Sequence, residues 1–223
     1  MKQRARVLVT AGATNIPIDQ VRVISNIFQG RTGTNIALHL LECGAEVTLI
    51  TSNPRLVGEK KSKRLEVWPY RTFEDLASQM KKQIVHNDFD IIIHSAAVSD
   101  YRVAGVCVLD VGGQLVSIDA SKKVSSSHQE LYLKLLPTEK LINLVRYPWR
   151  FTGKLVKFKL EVGKTDKKLI EIARESCAAS QADMIVANCL EWSKHYAYVI
   201  DAAGIPAKVS REDLPRELAK RLL

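Results

Sequence analysis

The sequence VLVTAGATNIPIDQVRVISNIFQGRTG, residues 7–33, indicates the fold class more clearly than any other stretch of the chain. The apolar run Val7–Val9 predicts a buried strand that leads into Gly12, and a long polar excursion follows before Gly30 and Gly33 begin an amphipathic helix. Open parallel sheets bind their ligands beyond the carboxyl ends of the strands. Because glycine lets a phosphate approach the amide groups of a helix start, the stretch predicts an anion-binding turn in an α/β sheet.

Strand and helix patterns alternate along the chain. Apolar runs predict strands, and apolar residues at helical spacing predict the helices between them. The predicted strands cover residues 7–10, 46–51, 65–69, 90–95, 130–136, 155–160, 184–188, 196–201 and 207–209, and the predicted helices cover 32–43, 72–86, 139–145, 166–180 and 211–223. This order predicts one domain over residues 1–223, with a doubly wound, Rossmann-like parallel sheet and a C-terminal hairpin around residues 201–204.

Residues 102–128 depart from this pattern. They include three glycines and a serine-rich tip, SKKVSSS (121–127). Long connections of this composition lie on the surface and often carry function. The segment therefore predicts a loop-like, mobile flap.

Composition narrows the class of partner. The formal net charge is +9, but the basic residues are dispersed and not interleaved with aromatic ones, which favours small anions over nucleic acid. No apolar run is long enough to span a membrane. The four cysteines and five histidines show no ligand spacing, which predicts no metal site built from side chains and a reducing, cytoplasmic location.

The TAGA turn, residues 10–13, leaves a nicotinamide-dependent reductase as one alternative. The pattern is weak because the inserted loop separates Gly12 from Gly30, and residues 51–53 offer no carboxylate for a ribose. No tyrosine is followed four positions later by a lysine. An NADP-dependent reductase is therefore the minor interpretation.

Five blocks in order resemble one family. The opening loop TAGATNIPIDQVRVISNIFQGRTG is followed by HSAAVSDY (94–101), SKKVSSS (121–127), FKLE (158–161) and QADMIVAN (181–188). Together they resemble the phosphopantothenoylcysteine synthetases, also called phosphopantothenate–cysteine ligases, along essentially the whole chain. Because no flavin decarboxylase half is visible in the sequence, the resemblance implies a free-standing ligase.

The resemblance implies a reaction and its partners. 4′-Phosphopantothenate would be joined to L-cysteine in coenzyme A biosynthesis, and CTP or ATP with Mg²⁺ would first convert the unreactive carboxylate into an acyl-nucleotidylate, releasing pyrophosphate. The family also implies a homodimer whose flap closes over a site shared with the neighbouring subunit.

The resemblance also assigns the site residues. Asn26 and Lys123 match the catalytic residues, with Lys122 as a competing flap lysine, and an ion pair between Asp19 and Arg22 is expected to fix the inserted loop. Ala96 and Ala97 would leave room for a ligand and would offer their backbone amides as hydrogen-bond donors. Nucleotide contacts are implied for Gly12, Gly30, Gly33, Asp100 and Phe158, and substrate contacts for Asn26, Ala96, Ala97 and Arg22.

Two departures from the family pattern leave alternatives open. Phe28–Gln29 replaces a pair of hydroxyl residues that stand beside the phosphates, so a catalytically degraded protein that binds nucleotide or phosphopantothenate is the second interpretation. Ser176 and Ser180 stand where cytidine-using bacterial members carry lysines, so both CTP and ATP remain candidates.

Overall fold

The structure, a computed structural model, describes residues 4–60, 62–201 and 204–223. Its strands are β1 (Arg6–Ala11), β2 (Asn15–Pro17), β3 (Val23–Ser25), β4 (Glu46–Thr51), β5 (Leu65–Pro69), β6 (Ile91–His94), β7 (Tyr101–Leu109), β8 (Leu115–Ile118), β9 (Tyr132–Pro137), β10 (Lys154–Glu161), β11 (Met184–Cys189), β12 (Tyr196–Asp201) and β13 (Pro206–Ser210). Its helices are α1 (Arg31–Glu42), α2 (Phe73–His86), α3 (Leu141–Arg146), α4 (Asp166–Ala179) and α5 (Leu214–Leu222).

The central sheet has eight strands in the order β13-β12-β11-β10-β6-β1-β4-β5. The six strands from β11 to β5 are parallel, and β12 and β13 extend the sheet as an antiparallel hairpin. The predicted fold class and C-terminal hairpin are therefore confirmed. Residues 202 and 203 of the predicted hairpin turn lie outside the described residues.

Helices cover both faces of this sheet. Val7 and Val9 of β1 pack with α1 and α5, whereas Leu8 points to the opposite face and packs with α2 and α3. On that second face, α4 covers β11 through Leu169 and Ala173. Strands covered on both sides are apolar at nearly every position, which is why their runs could be identified from the sequence. None of the helices, within the described residues, is both long and apolar enough to cross a membrane.

The prediction of a loop-like segment over residues 102–128 is wrong. Strands β7, β8 and β9 form a separate antiparallel sheet, here named the arm (Tyr101–Pro137). Asp110 closes the β7–β8 turn by accepting hydrogen bonds from the amides of Gly112 and Gln114. Only Val106 of β7 is buried and most of β8 is exposed, so the apolar alternation of a half-buried strand is absent there. The strand predicted over residues 130–136 is present as β9. The mobility of this region stays a prediction.

The inserted loop also contains a hairpin that the sequence did not predict. Strands β2 and β3 pair antiparallel, and β2 lies beside β7 of the arm. Each has only three residues, which is too short for a period of two to be recognised.

Candidate active site

A cleft of about 1000 Å³ opens at the carboxyl edge of the central sheet. It lies beyond β1 and β6, where the order of successive strands reverses, the place at which open α/β sheets bind ligands. Its lining includes eight of the predicted site residues: Gly12, Asn26, Gly30, Gly33, Ala96, Ala97, Asp100 and Phe158.

The glycines allow two turns to pack backbone against backbone. Gly12 and Gly30 have φ angles of 95° and 87°, values that side chains with a Cβ disfavour. A Cβ on Gly30 would lie 2.5 Å from the Gly12 nitrogen, and one on Gly33 would lie 2.8 Å from Ala11 Cβ. Close packing therefore requires glycine at these positions, whatever ligand the cleft binds.

The first turn of α1 presents its amide groups to the cleft. Gly30 is the N-cap, no described side chain caps the helix start, and the first turn contains no acidic residue. Arg31, Thr32 and Gly33 all line the cleft. Because unpaired amides at a helix start carry partial positive charge, this turn is suited to a phosphate group.

Arg211 brings a full positive charge to the same turn, and the sequence analysis missed it. Its guanidinium donates hydrogen bonds to Thr32 Oγ1 and, over 3.4 Å, to Asn188 Oδ1. Arg211 and Thr32 are 179 positions apart, so only the folded sheet brings them together. No local motif could have indicated this contact.

The segment after β6 does not offer the amide donors that were predicted. The Ala96 amide donates to Thr10 Oγ1 and the Ala97 amide donates to the Gly12 carbonyl at 2.7 Å. The Ser99 amide likewise donates to Thr14 Oγ1. The prediction of Ala96 and Ala97 as amide donors is therefore corrected, because both groups join β6 to the β1 turn. Their small side chains still line the cleft.

Asn26, Asp100 and Phe158 stand on different sides of the cleft. Asn26 is exposed, and its Nδ2 donates to the Ala97 carbonyl over 3.2 Å. Asp100 forms an ion pair with Lys140, just before α3. Phe158 of β10 is half-buried and packs against the core cluster of α1. The fold thus brings a neutral amide, a paired carboxylate and an aromatic wall into one cleft.

The predicted ion pair between Asp19 and Arg22 is confirmed, and it also holds the arm. The Asp19 carboxylate accepts hydrogen bonds from Arg22 Nε at 2.9 Å and from the Val124 amide at 3.0 Å, and Arg22 donates to the Val124 carbonyl. The Arg22 guanidinium and adjacent backbone amides hold the pKa of Asp19 far below its usual range. We name this contact the arm clamp.

Arg22 and Lys123 are not among the residues that line the cleft of their own chain. The guanidinium of Arg22 is engaged in the arm clamp, and Lys123 is exposed on the segment between β8 and β9, next to Lys122. The substrate role of Arg22 and the catalytic role of Lys123 therefore stay predictions.

A polar row that was not predicted from the sequence crosses three strands of the sheet, and two of its residues, His94 and Lys157, line the cleft. Thr10, His94 and Lys157 are register partners on β1, β6 and β10. Thr10 Oγ1 lies 2.8 Å from His94 Nδ1, and Lys157 Nζ donates to Ser176 of α4. Burial, with a contribution from the Lys157 charge, lowers the pKa of His94 to about 4, so the imidazole is neutral at pH 7.

The described residues contain no group of three or more His, Cys, Asp or Glu side chains arranged to hold a metal ion. Cationic side chains instead surround the cleft: Lys140, Lys157, Lys159, Lys194 and Arg211. Such a lining fits anionic ligands. Entry of Mg²⁺ together with a nucleotide stays a prediction.

Comparison with known proteins gives the family. The profile of the DNA/pantothenate metabolism flavoprotein C-terminal domain matches residues 2–203. The coenzyme A biosynthesis bifunctional protein CoaBC of Thermococcus kodakarensis is 35% identical over 221 residues, covering 97% of this chain and 49% of that protein. The chain thus spans about half the length of the curated relatives it matches.

Solved structures similar to this chain support the same family assignment. The DNA/pantothenate metabolism flavoprotein from Streptococcus pneumoniae has a TM-score of 0.82 and 31% identity, with 97% of both chains covered. A Cab2 mutant in complex with phosphopantothenate-cysteine shares the fold, with a TM-score of 0.72 and 14% identity over 97% of this chain and 86% of that one. The chain therefore belongs to the family of DNA/pantothenate metabolism flavoprotein C-terminal domains.

Proposed function

We propose that this chain joins 4′-phosphopantothenate to L-cysteine in the cleft, as a nucleotide-dependent ligase of coenzyme A biosynthesis. Family membership and the names of the CoaBC relatives support the proposal. The observation that carries it is the lining of one cleft by the uncapped start of α1, the cationic Arg211 and the neutral amide of Asn26. Such a lining suits a nucleoside triphosphate that is bound beside a carboxylate.

The reaction requires two displacements in one place. A carboxylate oxygen of phosphopantothenate attacks the α-phosphorus of the nucleotide, and pyrophosphate leaves. The uncharged amine of cysteine then attacks the acyl carbon, the nucleoside monophosphate leaves with that oxygen, and the nitrogen loses a proton. Because both steps place negative charge on phosphate oxygens, the α1 amides and Arg211 would stabilise the transition states.

The family resemblance suggests roles for three other residues that line the cleft. Asn26 would exchange its 3.2 Å hydrogen bond to Ala97 for one to the reacting carboxylate. Phe158 would form a wall for the base, and Asp100 would contact the base or the ribose. Both CTP and ATP remain candidates. Magnesium bound to the triphosphate supplies charge neutralisation in such reactions, and no residue of this chain is assigned to hold it.

We also propose that the chain acts as a homodimer. The arm exposes large apolar side chains, including Leu109 at 45%, Leu115 at 59% and Leu135 at 42%, and the inserted loop exposes Ile27 at 81%. Large apolar side chains exposed on neighbouring strands, as at the register partners Leu109 and Leu115, suit a protein interface. In a dimer, Lys123 of one subunit would serve the cleft of the other, where its ammonium would neutralise the acyl-nucleotidylate during transfer.

The test follows pyrophosphate in a mixture of protein, phosphopantothenate, cysteine, Mg²⁺ and either CTP or ATP. Release that requires phosphopantothenate, with formation of phosphopantothenoylcysteine, is expected. Thermal stabilisation by nucleotide without turnover would instead support the degraded protein suggested by Phe28–Gln29, two residues that line the cleft. Stabilisation by NADP alone would support the reductase and contradict the proposal.

A further inference from the structure

A buried cation that forms no ion pair with any described side chain lies in the floor of the cleft. Lys157 is only 8% exposed, and its Nζ lies 2.9 Å from both the hydroxyl and the carbonyl oxygen of Ser176. These partners are neutral, and no ion pair of Lys157 occurs among residues 4–60, 62–201 and 204–223. A buried charge is costly unless it is paired, so this ammonium lacks a counter-charge that a ligand would supply.

The surrounding groups do not provide that charge. Lys159 and Lys140, which also line the cleft, are paired with Glu161 and Asp100. His94, the register partner of Lys157, is neutral at pH 7. Burial, followed by the two neighbouring lysines, lowers the pKa of Lys157, although the nearby Cys177 acts in the opposite direction.

The position of Lys157 separates it from the phosphate-binding turn of α1. Lys157 alternates with Val156 along β10, and Val156 packs in the cluster that includes α1. Lys157 therefore points to the opposite face, between α3 and α4, where Leu141 and Ser180 also line the cleft. One cleft thus has two cationic subsites, one on each face of the sheet.

We propose that Lys157 binds phosphate oxygens at a second anion subsite between α3 and α4. The inference rests on the proposed function for the identity of its ligand, since that reaction brings two phosphate-bearing substrates into one cleft. The phosphate belongs either to the nucleotide or to phosphopantothenate. Ser176 holds the ammonium in place from α4, and a phosphate dianion supplies the missing counter-charge.

A purely structural role gives a different expectation. Ser176 lies in the last turn of α4, where a cation stabilises the carbonyl end of a helix. If Lys157 serves only there, its replacement lowers the melting temperature and leaves affinity for phosphate compounds unchanged. Binding and stability must therefore be measured on the same variants.

The experiment measures calorimetric binding of inorganic triphosphate and of phosphopantothenate to the full chain. Lys157→Gln is expected to weaken binding of at least one probe by about 10-fold or more. Loss with inorganic triphosphate assigns the subsite to the nucleotide, and loss with phosphopantothenate assigns it to the 4′-phosphate. Lys154→Gln is the matched control, because Lys154 lies on the same strand but donates to carbonyls of Arg221 and Leu222 away from the cleft.

A second-site variant keeps the test decisive if Lys157→Gln does not fold. In the double variant Lys157→Gln with Ser176→Lys, the helix returns an ammonium to the same place, and probe affinity is expected within about 3-fold of wild type. A folded double variant that stays weak contradicts the proposal. The proposal is also contradicted if Lys157→Gln binds both probes as tightly as the wild type, or if the wild-type protein binds neither probe. A chain without ligase activity whose phosphate binding still depends on Lys157 would end the proposed function and leave this subsite standing.

Discussion

The cleft and the arm are held together by different interactions, close backbone packing in the first and a few polar contacts in the second. The cleft is formed by buried strand ends whose backbones touch, so that Gly12 and Gly30 admit no side chain. The arm is a thin sheet with most of β8 and β9 exposed, and the Asp19–Arg22 pair holds Val124 of its β8–β9 segment. Close backbone packing thus fixes the shape of the cleft, whereas a few polar contacts place the region that carries Lys123.

The largest effect is expected from Gly30→Ala. The added Cβ meets the Gly12 backbone at 2.5 Å, and φ is 87°, so both packing and conformation oppose it. We expect a loss of about 2 kcal/mol or more in the free energy of unfolding and loss of ligase activity. Denaturant unfolding and the pyrophosphate assay measure the two quantities.

Gly44→Ala is the matched control for that variant. Gly44 has a φ of 100°, but no atom of the described residues lies within 4 Å of its Cβ position, so conformational strain is the expected cost. We expect a loss of about 1 kcal/mol and normal turnover. Equal effects at the two glycines would show that close backbone packing does not shape the cleft.

Asn26→Ala is expected to reduce kcat/KM by about 100-fold without changing the melting temperature. The side chain is exposed and makes one weak hydrogen bond, so the fold does not depend on it. Asn35→Ala, an exposed position on α1 outside the cleft, is the control. A matching fall in stability would assign Asn26 to the turn rather than to the reaction.

Lys123→Gln is expected to reduce turnover far more than Lys122→Gln. If the arm serves the neighbouring subunit, mixing Asn26→Ala and Lys123→Gln proteins creates hybrid dimers with one intact site. Subunit exchange should then recover about a quarter of wild-type activity. No recovery, in a mixture shown by mass spectrometry to contain hybrids, would place Lys123 over its own cleft.

The smallest effect is expected from removing the arm clamp. Because the folded pKa of Asp19 is depressed, its contribution to stability is present above the unfolded pKa of about 4 and is lost as the pH falls below it. Asp19→Asn should make the segment around Val124 more sensitive to limited proteolysis at pH 7, with little change in global melting temperature. A wild-type arm that is equally sensitive at pH 7 would contradict the clamp.

The sequence predicted the parts of the molecule that local rules determine. The β1 strand, the glycine turns and the helix predicted over residues 72–86 depend on neighbouring residues, and the structure contains each of them. The family resemblance also assigned Asn26 and Phe158 to the site, and both residues line the cleft.

The rest depended on contacts that no local pattern encodes. The amides of Ala96 and Ala97 are satisfied by β1 and its turn, 85 or more positions earlier, so they are not ligand donors. Arg211 reaches Thr32 across the fold, and Lys157 reaches Ser176 from strand to helix. In β7 and β8 of the arm, extensive exposure removed the period-two signal, so these two strands were taken for a loop, whereas the strand predicted over residues 130–136 is present as β9.

Formation of an acyl-nucleotidylate can be tested directly by following the carboxylate oxygens of phosphopantothenate. In the proposed reaction, the carboxylate is joined to a nucleotidyl group in the cleft before cysteine attacks. Phosphopantothenate labelled with ¹⁸O in its carboxylate should therefore deliver one labelled oxygen to the nucleoside monophosphate. Label recovered in inorganic phosphate, or product formed without any label in the monophosphate, would contradict the account.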